Sequence, residues 1–245
     1  MSEHDAAACR LFVSGPLQAE ALVGIEPDQS HYLLNVLRLE DGAALLVFDG
    51  HSGEWQARLK RSGKRDVRLL IGAQTREQPA PRAVTLAFAP LKHARLDYMV
   101  QKATEMGATT LVPCITARTQ VTRVNRERMQ ANVVEACEQC GVLQVPQVEE
   151  SVPFTTWLAR QPDSEMLIFA DEAAPLANPL QALSAIIKAP AISLMIGPEG
   201  GFSAQERALV LARPNVRRLS LGPRILRADT AAVAGLALIQ AIMGT

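Results

Sequence analysis

Residues 194–206 read LMIGPEGGFSAQE, and residues 219–232 read LSLGPRILRADTAA. Each segment begins at the end of an apolar run, Ile192–Ile196 or Val216–Leu221, that predicts a buried strand. Each run then meets a Gly-Pro pair, in which glycine permits a tight turn and proline removes a hydrogen-bond donor. Because a helix is expected after each turn, the two segments predict two strand–loop–helix corners.

These corners also predict a binding pocket. Ser203 and Glu206 form a Ser-x-x-Glu capping box, which indicates a helix start directly after the first glycine-rich loop. In open α/β sheets, ligands bind at the carboxyl ends of parallel strands. One Gly-Pro corner would be an ordinary tight turn, but two corners side by side predict a pocket lined by main-chain N–H and C=O groups.

The charges of the chain balance overall but not locally. Its 245 residues, enough for one large or two modest domains, include 25 basic and 25 acidic residues. Residues 58–68 nevertheless hold six basic residues against a single acidic one, Asp66. This asymmetry is typical of a phosphate-facing surface, and a charged face kept for solubility explains it equally well.

The composition argues against export, a membrane span and a metal site. Residues 1–10 are polar and partly acidic, and the longest apolar run, Ala231–Met243, is too short to span a bilayer. Four cysteines with one C-x-x-C pair predict neither a disulfide framework nor zinc, so we expect a cytoplasmic protein with Cys137 and Cys140 reduced and packed on a helix. Since no histidine has metal-ligand spacing, no metal is expected; the four are His4, His31, His51 and His93.

Residues 1–73 are predicted to form a small β-barrel. A short amphipathic stretch covers His31–Leu39, and Gln74–Arg82, which is polar and contains two prolines, predicts a linker to a second domain at residues 80–245. Short apolar segments between glycine-containing turns predict the strands of the barrel. These segments are Arg10–Val13, Ala43–Phe48, Trp55–Lys60 and Val67–Ile71.

Strands and helices alternate in the second domain, which predicts an α/β fold with a mainly parallel sheet covered on both faces. Besides the two runs above, the predicted strands are Val84–Phe88, Leu111–Ile115 and Met166–Ala170. The predicted helices run from Leu96 to Gly107, from about Arg126 to Gly141, over Leu180–Ile187 and over Thr230–Met243. The last helix is apolar almost all round, so it must be buried in a core or against a second subunit.

The chain resembles the RsmE family, the SPOUT-superfamily methyltransferases that modify a uridine N3 in 16S ribosomal RNA. The resemblance spans essentially the whole chain and is most specific in IGPEGGFS and LGPRILRADTAA. Two departures are Val142 and the pair Ala228-Asp229, where the family commonly has arginine and Thr-Glu. The other matching segments are HYLLNVLRLEDG, VFDG, QKATEMGATTLVP and EACEQCG.

This resemblance implies a PUA-like RNA-binding barrel followed by a SPOUT domain whose C-terminal segment forms a deep trefoil knot. It also implies a homodimer that acts on 16S rRNA or the 30S subunit, with S-adenosylmethionine as cofactor. The residues it implies for the cofactor are Phe169, Ala170, Asp171, Glu172, Ile196, Gly197, Pro198, Gly200, Gly201, Leu221, Gly222, Ile225, Leu226 and Thr230.

Methylation of a uridine N3 requires removal of an imide proton and stabilisation of negative charge on the flanking carbonyls. An arginine suits the second task, so we expect Arg227 or Arg224 to perform it, with Glu199 or Asp229 as proton acceptor. Replacing Arg227 by alanine should then abolish methyl transfer and largely spare cofactor affinity. The alternatives are a salt bridge from these arginines, for instance to Asp229, and a loop-organising role in which Glu199 binds backbone amides.

Basic residues in both domains are candidates for RNA contacts, although solvated surface charges are the alternative. They are Arg10, Arg38, Lys60, Arg61, Lys64, Arg65, Arg118 and Arg123. Neither a G-x-G-x-x-G segment after a predicted strand nor a Walker A motif occurs in the sequence. Two further functions stay open, namely a SPOUT enzyme acting on another rRNA or tRNA base, and a non-catalytic RNA-binding or ribosome-assembly protein.

Overall fold

The computed structural model describes residues 9–61, 63, 67–80, 83–175 and 178–243. The chain divides into two compact units. The first comprises the chain up to Ala80 together with Cys137–Val145, and the second comprises Pro81–Ala136 and the chain from Pro146 onward.

The first unit is built on a five-stranded sheet with the order β1-β3-β4-β5-β2. β1 pairs with β3 in parallel, and all other neighbours are antiparallel. Alternating apolar residues of the strands form its core, which includes Val47, Leu59 and Leu69. The elements are β1 (Arg10–Phe12), β2 (Leu22–Gly24), α1 (Pro27–His31) with a π-helical turn at Tyr32–Val36, β3 (Ala44–Phe48), β4 (Glu54–Arg61) and β5 (Val67–Arg76).

The first unit follows the predicted strand pattern, with two differences. β2 was not predicted, because its Leu-Val-Gly sequence shows no alternation of apolar and polar side chains. β5 extends to Arg76, so the segment predicted as a linker from Gln74 begins as strand, because Trp55 of β4 pairs with Gln74.

A buried carboxylate connects several parts of the first unit. The side chain of Glu54 is only 4% exposed and accepts hydrogen bonds from Arg10 Nε at 2.7 Å, Arg76 Nη2 at 2.7 Å and Thr75 Oγ1 at 2.9 Å. Burial raises the pKa of Glu54, but the hydrogen bonds from Arg76, Arg10 and Thr75 outweigh it and lower the pKa to about 2. Arg10, a predicted RNA contact, also donates to the Glu138 carbonyl, so its guanidinium is engaged inside the unit.

We expect Glu54 to stabilise the fold only while it is ionised. Its pKa is lowered on folding, so its contribution is present above the unfolded value of 4.5 and is lost as the pH falls toward 2. A shift of this size corresponds to about 3 kcal/mol. Chemical denaturation between pH 7 and pH 2 should show Glu54→Gln losing this amount at pH 7 and nearly nothing at pH 2. Glu40→Gln, an exposed change in the same unit, is the control. A deficit of Glu54→Gln that does not change with pH would contradict this explanation.

The second unit contains a seven-stranded sheet in which every pairing is parallel. The order is β12-β10-β11-β6-β7-β8, and β9 also pairs with β7. Its strands are β6 (Ala83–Phe88), β7 (Thr110–Ile115), β8 (Gln147–Val148), β9 (Val152–Pro153), β10 (Met166–Ala170), β11 (Ala191–Ile196) and β12 (Val216–Leu219). The helices are α2 (His93–Glu105), α3 (Arg126–Cys140, whose last turn counts with the first unit), α4 (Phe154–Arg160), α5 (Pro179–Leu183), α6 (Ala204–Leu211) and α7 (Ala228–Met243).

The α/β fold and the parallel sheet are confirmed, and several element bounds differ from the sequence predictions. β12 ends at Leu219 and α7 begins at Ala228, so residues 220–227 form one long loop. The helix predicted at Leu180–Ile187 is α5 followed by a 3-10 turn at Ser184–Lys188. Of the two cysteines predicted to pack on a helix, Cys137 is buried in α3 but Cys140 is exposed.

The C-terminal helix α7 lies against α2 and β11. Gly235 permits this close approach, because a Cβ at its position would lie 2.8 Å from Leu194 Cδ2. Gln240 Nε2 donates to the Met106 carbonyl at 2.8 Å, at the predicted glycine end of α2, where Gly107 has a φ of +77°. Within the described residues, no helix is both long and apolar enough to cross a lipid bilayer.

Candidate functional site

A cavity of about 220 Å³ opens where β10, β11 and β12 end. β10 lies between the other two strands, so the two predicted corners flank it and do not adjoin each other. Residues 169–172, at the end of β10, form the central wall of the cavity. The lining residues are Phe169–Ala173, Ile196–Glu199, Gly201, Phe202, Arg207, Leu219–Leu226, Ala228 and Ala231. Of the residues predicted to hold a cofactor, Gly200 and Thr230 are outside this lining and the others are within it.

The first loop takes its shape from a turn and an aromatic cluster. Gly201 N–H donates to the Pro198 carbonyl at 2.8 Å, and Gly201 has a φ of +66°, which favours glycine. A Cβ on Gly197 would lie 2.5 Å from the ring of Phe202. This ring packs against Phe169, with a centroid distance of 5.0 Å, and against Phe154 at 5.4 Å. The main chain of the loop can reach the cavity because residues 197 and 201 are both glycine.

The predicted capping box closes the first loop. Ser203 Oγ accepts from Glu206 N–H at 3.2 Å, and Glu206 Oε2 accepts from Ser203 N–H at 2.9 Å. Glu206 Oε1 also accepts from Ala117 N–H at 2.7 Å, in the turn after β7. From the same turn, Arg118 Nη1 donates to the Gly200 carbonyl at 2.7 Å, so this predicted RNA contact supports the loop.

The second loop offers main-chain groups to the cavity. Gly222 has a φ of +104°, and a Cβ there would meet no atom within 4 Å. In the part of the chain that the structure describes, no hydrogen bond joins the main-chain groups of Leu221, Ile225 or Leu226 to another residue. Free N–H and C=O groups beside apolar side chains suit the base and ribose of a nucleoside.

A buried ion-pair cluster anchors the central wall. Asp171 directly follows β10 and accepts from Arg218 Nε at 2.7 Å, Arg207 Nη2 at 3.0 Å and Ala173 N–H at 3.0 Å. Burial raises the pKa of Asp171, but the hydrogen bonds from both arginines outweigh it and keep the pKa below its ordinary range. The carboxylate is thus occupied by the protein itself, which favours a supporting role. The sequence does not point to Arg207 or Arg218, since neither belongs to a motif.

A third arginine that the sequence did not single out bridges two predicted catalytic carboxylates. Arg95, in the first turn of α2, donates to Asp229 through Nε at 3.0 Å and Nη2 at 2.9 Å, and its Nη1 donates to Glu199. The hydrogen bonds from Arg95 lower the pKa of Asp229. The structure therefore pairs both carboxylates with Arg95, and not with the predicted alternative partners, the loop arginines for Asp229 and backbone amides for Glu199.

The two arginines of the second loop are exposed. Arg224 lines the cavity and Arg227 does not. Among the described residues, neither guanidinium has a hydrogen-bond or ion-pair partner. The side chain between them, Ile225, is 89% exposed. The loop thus presents unpaired positive charge beside the cavity.

The remaining predicted RNA contacts are spread over both units. Arg61 on β4 is exposed and Lys60 is half-buried, whereas Lys64 and Arg65 lie outside the described residues. Arg38 is exposed with a φ of +55°, and Arg123 is exposed before α3. Over the described ranges, no three His, Cys, Asp or Glu side chains are grouped so that they could hold a metal ion.

Sequence families of known proteins match residues in both units. The family described as "RNA methyltransferase domain" matches residues 78–240, and that described as "RNA methyltransferase PUA domain" matches residues 25–72. The chain is 36% identical to ribosomal RNA small subunit methyltransferase E of Synechocystis sp., over 96% of this chain and 78% of the relative. It is 30% identical to the protein of that name from Rickettsia conorii, over 94% of each chain. The crystal structure of ribosomal RNA small subunit methyltransferase E from Neisseria gonorrhoeae, bound to S-adenosylmethionine, superposes with a TM-score of 0.81 and 31% identity, covering 95% of this chain and 97% of that one.

Proposed function

This chain belongs to the RsmE family of RNA methyltransferases, and we propose that it transfers a methyl group from S-adenosylmethionine to N3 of a uridine in 16S ribosomal RNA. The observation that carries the proposal is the cavity of free main-chain groups at the ends of β10, β11 and β12, with the unpaired Arg224 beside it. Similarity to the Neisseria gonorrhoeae enzyme, which was solved with S-adenosylmethionine bound, supports the choice of cofactor.

The residues of the cavity fit this cofactor. Gly197, Gly201 and Gly222 leave the main chain open, and the free N–H and C=O groups of Leu221, Ile225 and Leu226 would receive the adenosine. When bound, S-adenosylmethionine supplies an electrophilic methyl carbon whose bond to sulfur breaks with its electron pair left on the sulfur. The protein must hold the cofactor so that this carbon faces the RNA.

The chain's own residues would prepare the uracil. As the N3 proton leaves, negative charge develops on the two flanking carbonyl oxygens, and a fixed guanidinium lowers the free energy of that charge. Arg224 and Arg227 are available for this task because neither is paired within the described residues. Glu199 and Asp229 are the candidate proton acceptors near the cavity.

We further propose that the PUA-like unit positions the RNA through its basic β4–β5 region. Phosphate contacts release counterions, so affinity for RNA should fall steeply as salt increases. Removing two contacts in Lys60→Ala/Arg61→Ala should reduce the slope of log K against log salt by about 2. Arg160→Ala, on the exposed side of α4, should leave the slope unchanged. Filter binding of an rRNA fragment at several salt concentrations measures this, and an unchanged slope in the double variant would remove the β4–β5 region from the interface.

The remaining parts of the proposal follow the family. They are domains at residues 1–73 and 80–245, a trefoil knot in the C-terminal segment, a homodimer, and the small ribosomal subunit as partner. A ribosomal substrate also supports the expected cytoplasmic location. The position of α7 against β11 is compatible with a C-terminal segment threaded next to the cavity.

Mass spectrometry of ribosomal RNA from cells lacking this protein tests the proposal. We expect one N3-methyluridine to be missing from 16S rRNA and to return on complementation. A different missing base would identify another SPOUT-type RNA methyltransferase. An unchanged modification pattern, together with no heat on titration with S-adenosylmethionine, would identify a non-catalytic RNA-binding protein.

A further inference from the structure

The two carboxylates held by Arg95 differ in how many of their oxygens are occupied. Asp229 Oδ1 accepts from Arg95 Nη2 at 2.9 Å and from Thr230 N–H at 2.9 Å, and Oδ2 accepts from Arg95 Nε at 3.0 Å. Glu199 Oε1 accepts from Arg95, whereas Oε2 has no partner among the described residues. The side chain of Glu199 is 51% exposed and that of Asp229 only 14%. One carboxylate is therefore fully engaged, and the other keeps an oxygen free.

The free oxygen belongs to the carboxylate on the cavity side. Glu199 lines the cavity and Asp229 does not. Two parallel hydrogen bonds to Asp229 fix the plane of the Arg95 guanidinium, and that plane directs the remaining nitrogen, Nη1, to Glu199. Asp229 thus serves as the anchor through which Arg95 orients Glu199.

We infer that Glu199 is the residue that accepts the N3 proton of the target uracil, and that Arg95 is the positioning residue that aims it. This inference rests on the proposed function, because it names the base of that reaction. The N3–H bond breaks with its electron pair left on N3, and the proton bonds to Glu199 Oε2. N3 then uses that pair to bond the methyl carbon, and the half-exposed Glu199 returns its proton to water.

The surroundings of the two carboxylates favour the same assignment. Arg95 lowers the pKa of Asp229, and the positive N-terminal end of α7 also favours its charged form, so Asp229 binds a proton poorly. Arg95 contacts Glu199 from outside the cavity lining, and the charged residues that line the cavity together with Glu199 are Asp171, Glu172, Arg207 and Arg224. Asp171 is paired with Arg207 and Arg218, so it does not compete for the uracil proton. Within the described residues, Glu172 receives no hydrogen bond from Arg95 and therefore lacks the orientation that Arg95 gives to Glu199.

The first test compares Glu199→Gln with the unaltered enzyme, using full-length protein, 16S rRNA and S-adenosylmethionine. We expect the single-turnover rate to fall at least about 100-fold at neutral pH. Cofactor affinity, measured by calorimetry, should stay within about twofold. The rate of the variant should rise with pH as the imide ionises without help, whereas the rate of the unaltered enzyme should level off. Glu150→Gln, which alters a glutamate paired with Arg126 away from the cavity, is the matched control.

The second test separates positioning by Arg95 from a structural role. Lysine keeps the charge but cannot hold both carboxylates with a planar fork, so Arg95→Lys should lower kcat about tenfold and leave KM for RNA and cofactor affinity unchanged. Asp229→Asn should have a similar effect, since it releases the anchor. Arg128→Lys is the control, because Arg128 of α3 forms a comparable two-bond pair with Asp97 of α2, and neither residue lines the cavity.

The outcomes separate this inference from the proposed function. An unaltered enzyme that does not methylate 16S rRNA overturns both. An active enzyme whose Glu199→Gln variant keeps its rate within about threefold, or loses cofactor affinity in parallel with rate, overturns only the assignment of Glu199. A larger rate loss in Asp229→Asn than in Glu199→Gln would also overturn it, because the anchor would then be the base.

Discussion

Replacing Arg224 by alanine is expected to lower the rate of methyl transfer by about 10²–10³-fold, the range typical of losing one donor to a developing oxyanion. Arg224 lines the cavity and has no hydrogen-bond or ion-pair partner among the described residues. Its guanidinium is therefore free to face the uracil carbonyls. Cofactor affinity should change little, because the groups assigned to the adenosine belong to the main chain. Single-turnover kinetics and calorimetry with S-adenosylmethionine measure the two quantities.

Arg227→Ala is the natural comparison, since the sequence points to either arginine. Arg227 is equally exposed but lies outside the cavity lining, so we expect its removal to have the smaller effect on rate. A loss of rate confined to Arg227→Ala would assign the carbonyl-facing role to that residue instead. Equal losses of rate and cofactor affinity in Arg224→Ala would mean that it supports the pocket and does not stabilise charge.

Replacing Gly222 by valine is expected to reduce affinity for S-adenosylmethionine at least about tenfold, equivalent to 1.4 kcal/mol. Gly222 lines the cavity, and a Cβ there would meet no atom within 4 Å, so the added side chain should occupy space that the nucleoside needs. Its φ of +104° adds about 1–3 kcal/mol of backbone strain for any other residue. Isothermal titration calorimetry and thermal unfolding measure the two effects separately.

Gly42→Val controls for the strain. Gly42 has a φ of +83° and also has no atom within 4 Å of its Cβ position, but it lies in the β-rich unit. We expect this variant to lower the melting temperature and to bind the cofactor normally. If both variants bind the cofactor equally well, Gly222 does not contribute to the cofactor site.

Local patterns allowed much of the sheet and one helix start to be predicted. The apolar run Met166–Ala170 is β10 with the predicted bounds, because a strand buried on both faces needs an uninterrupted apolar run. The helix start at Ser203 was found because both partners of a capping box lie within four residues. In each case the stabilising contacts come from neighbours in sequence or from simple burial.

The features that could not be predicted from the sequence depend on contacts between residues far apart in the chain. Arg95 is separated from Glu199 by 104 residues and from Asp229 by 134 residues in the sequence. No residue pattern near Arg95 indicates either partner. The position of β10 between the two corners follows from the order of strands in the sheet, which no local period encodes. Arg10 is basic like the other predicted RNA contacts, and only the fold places the buried Glu54 beside it.

Hydrogen bonds to the carboxylate of Glu206 join the start of α6 to the turn after β7. A hydrogen bond from Arg118 joins that same turn to the glycine loop. If the glycine loop moves to let a nucleoside enter or leave, the turn must therefore move with it. We therefore expect substitutions at Glu206 or Arg118, whose side chains make these hydrogen bonds, to alter the residence time of the cofactor before they alter its affinity.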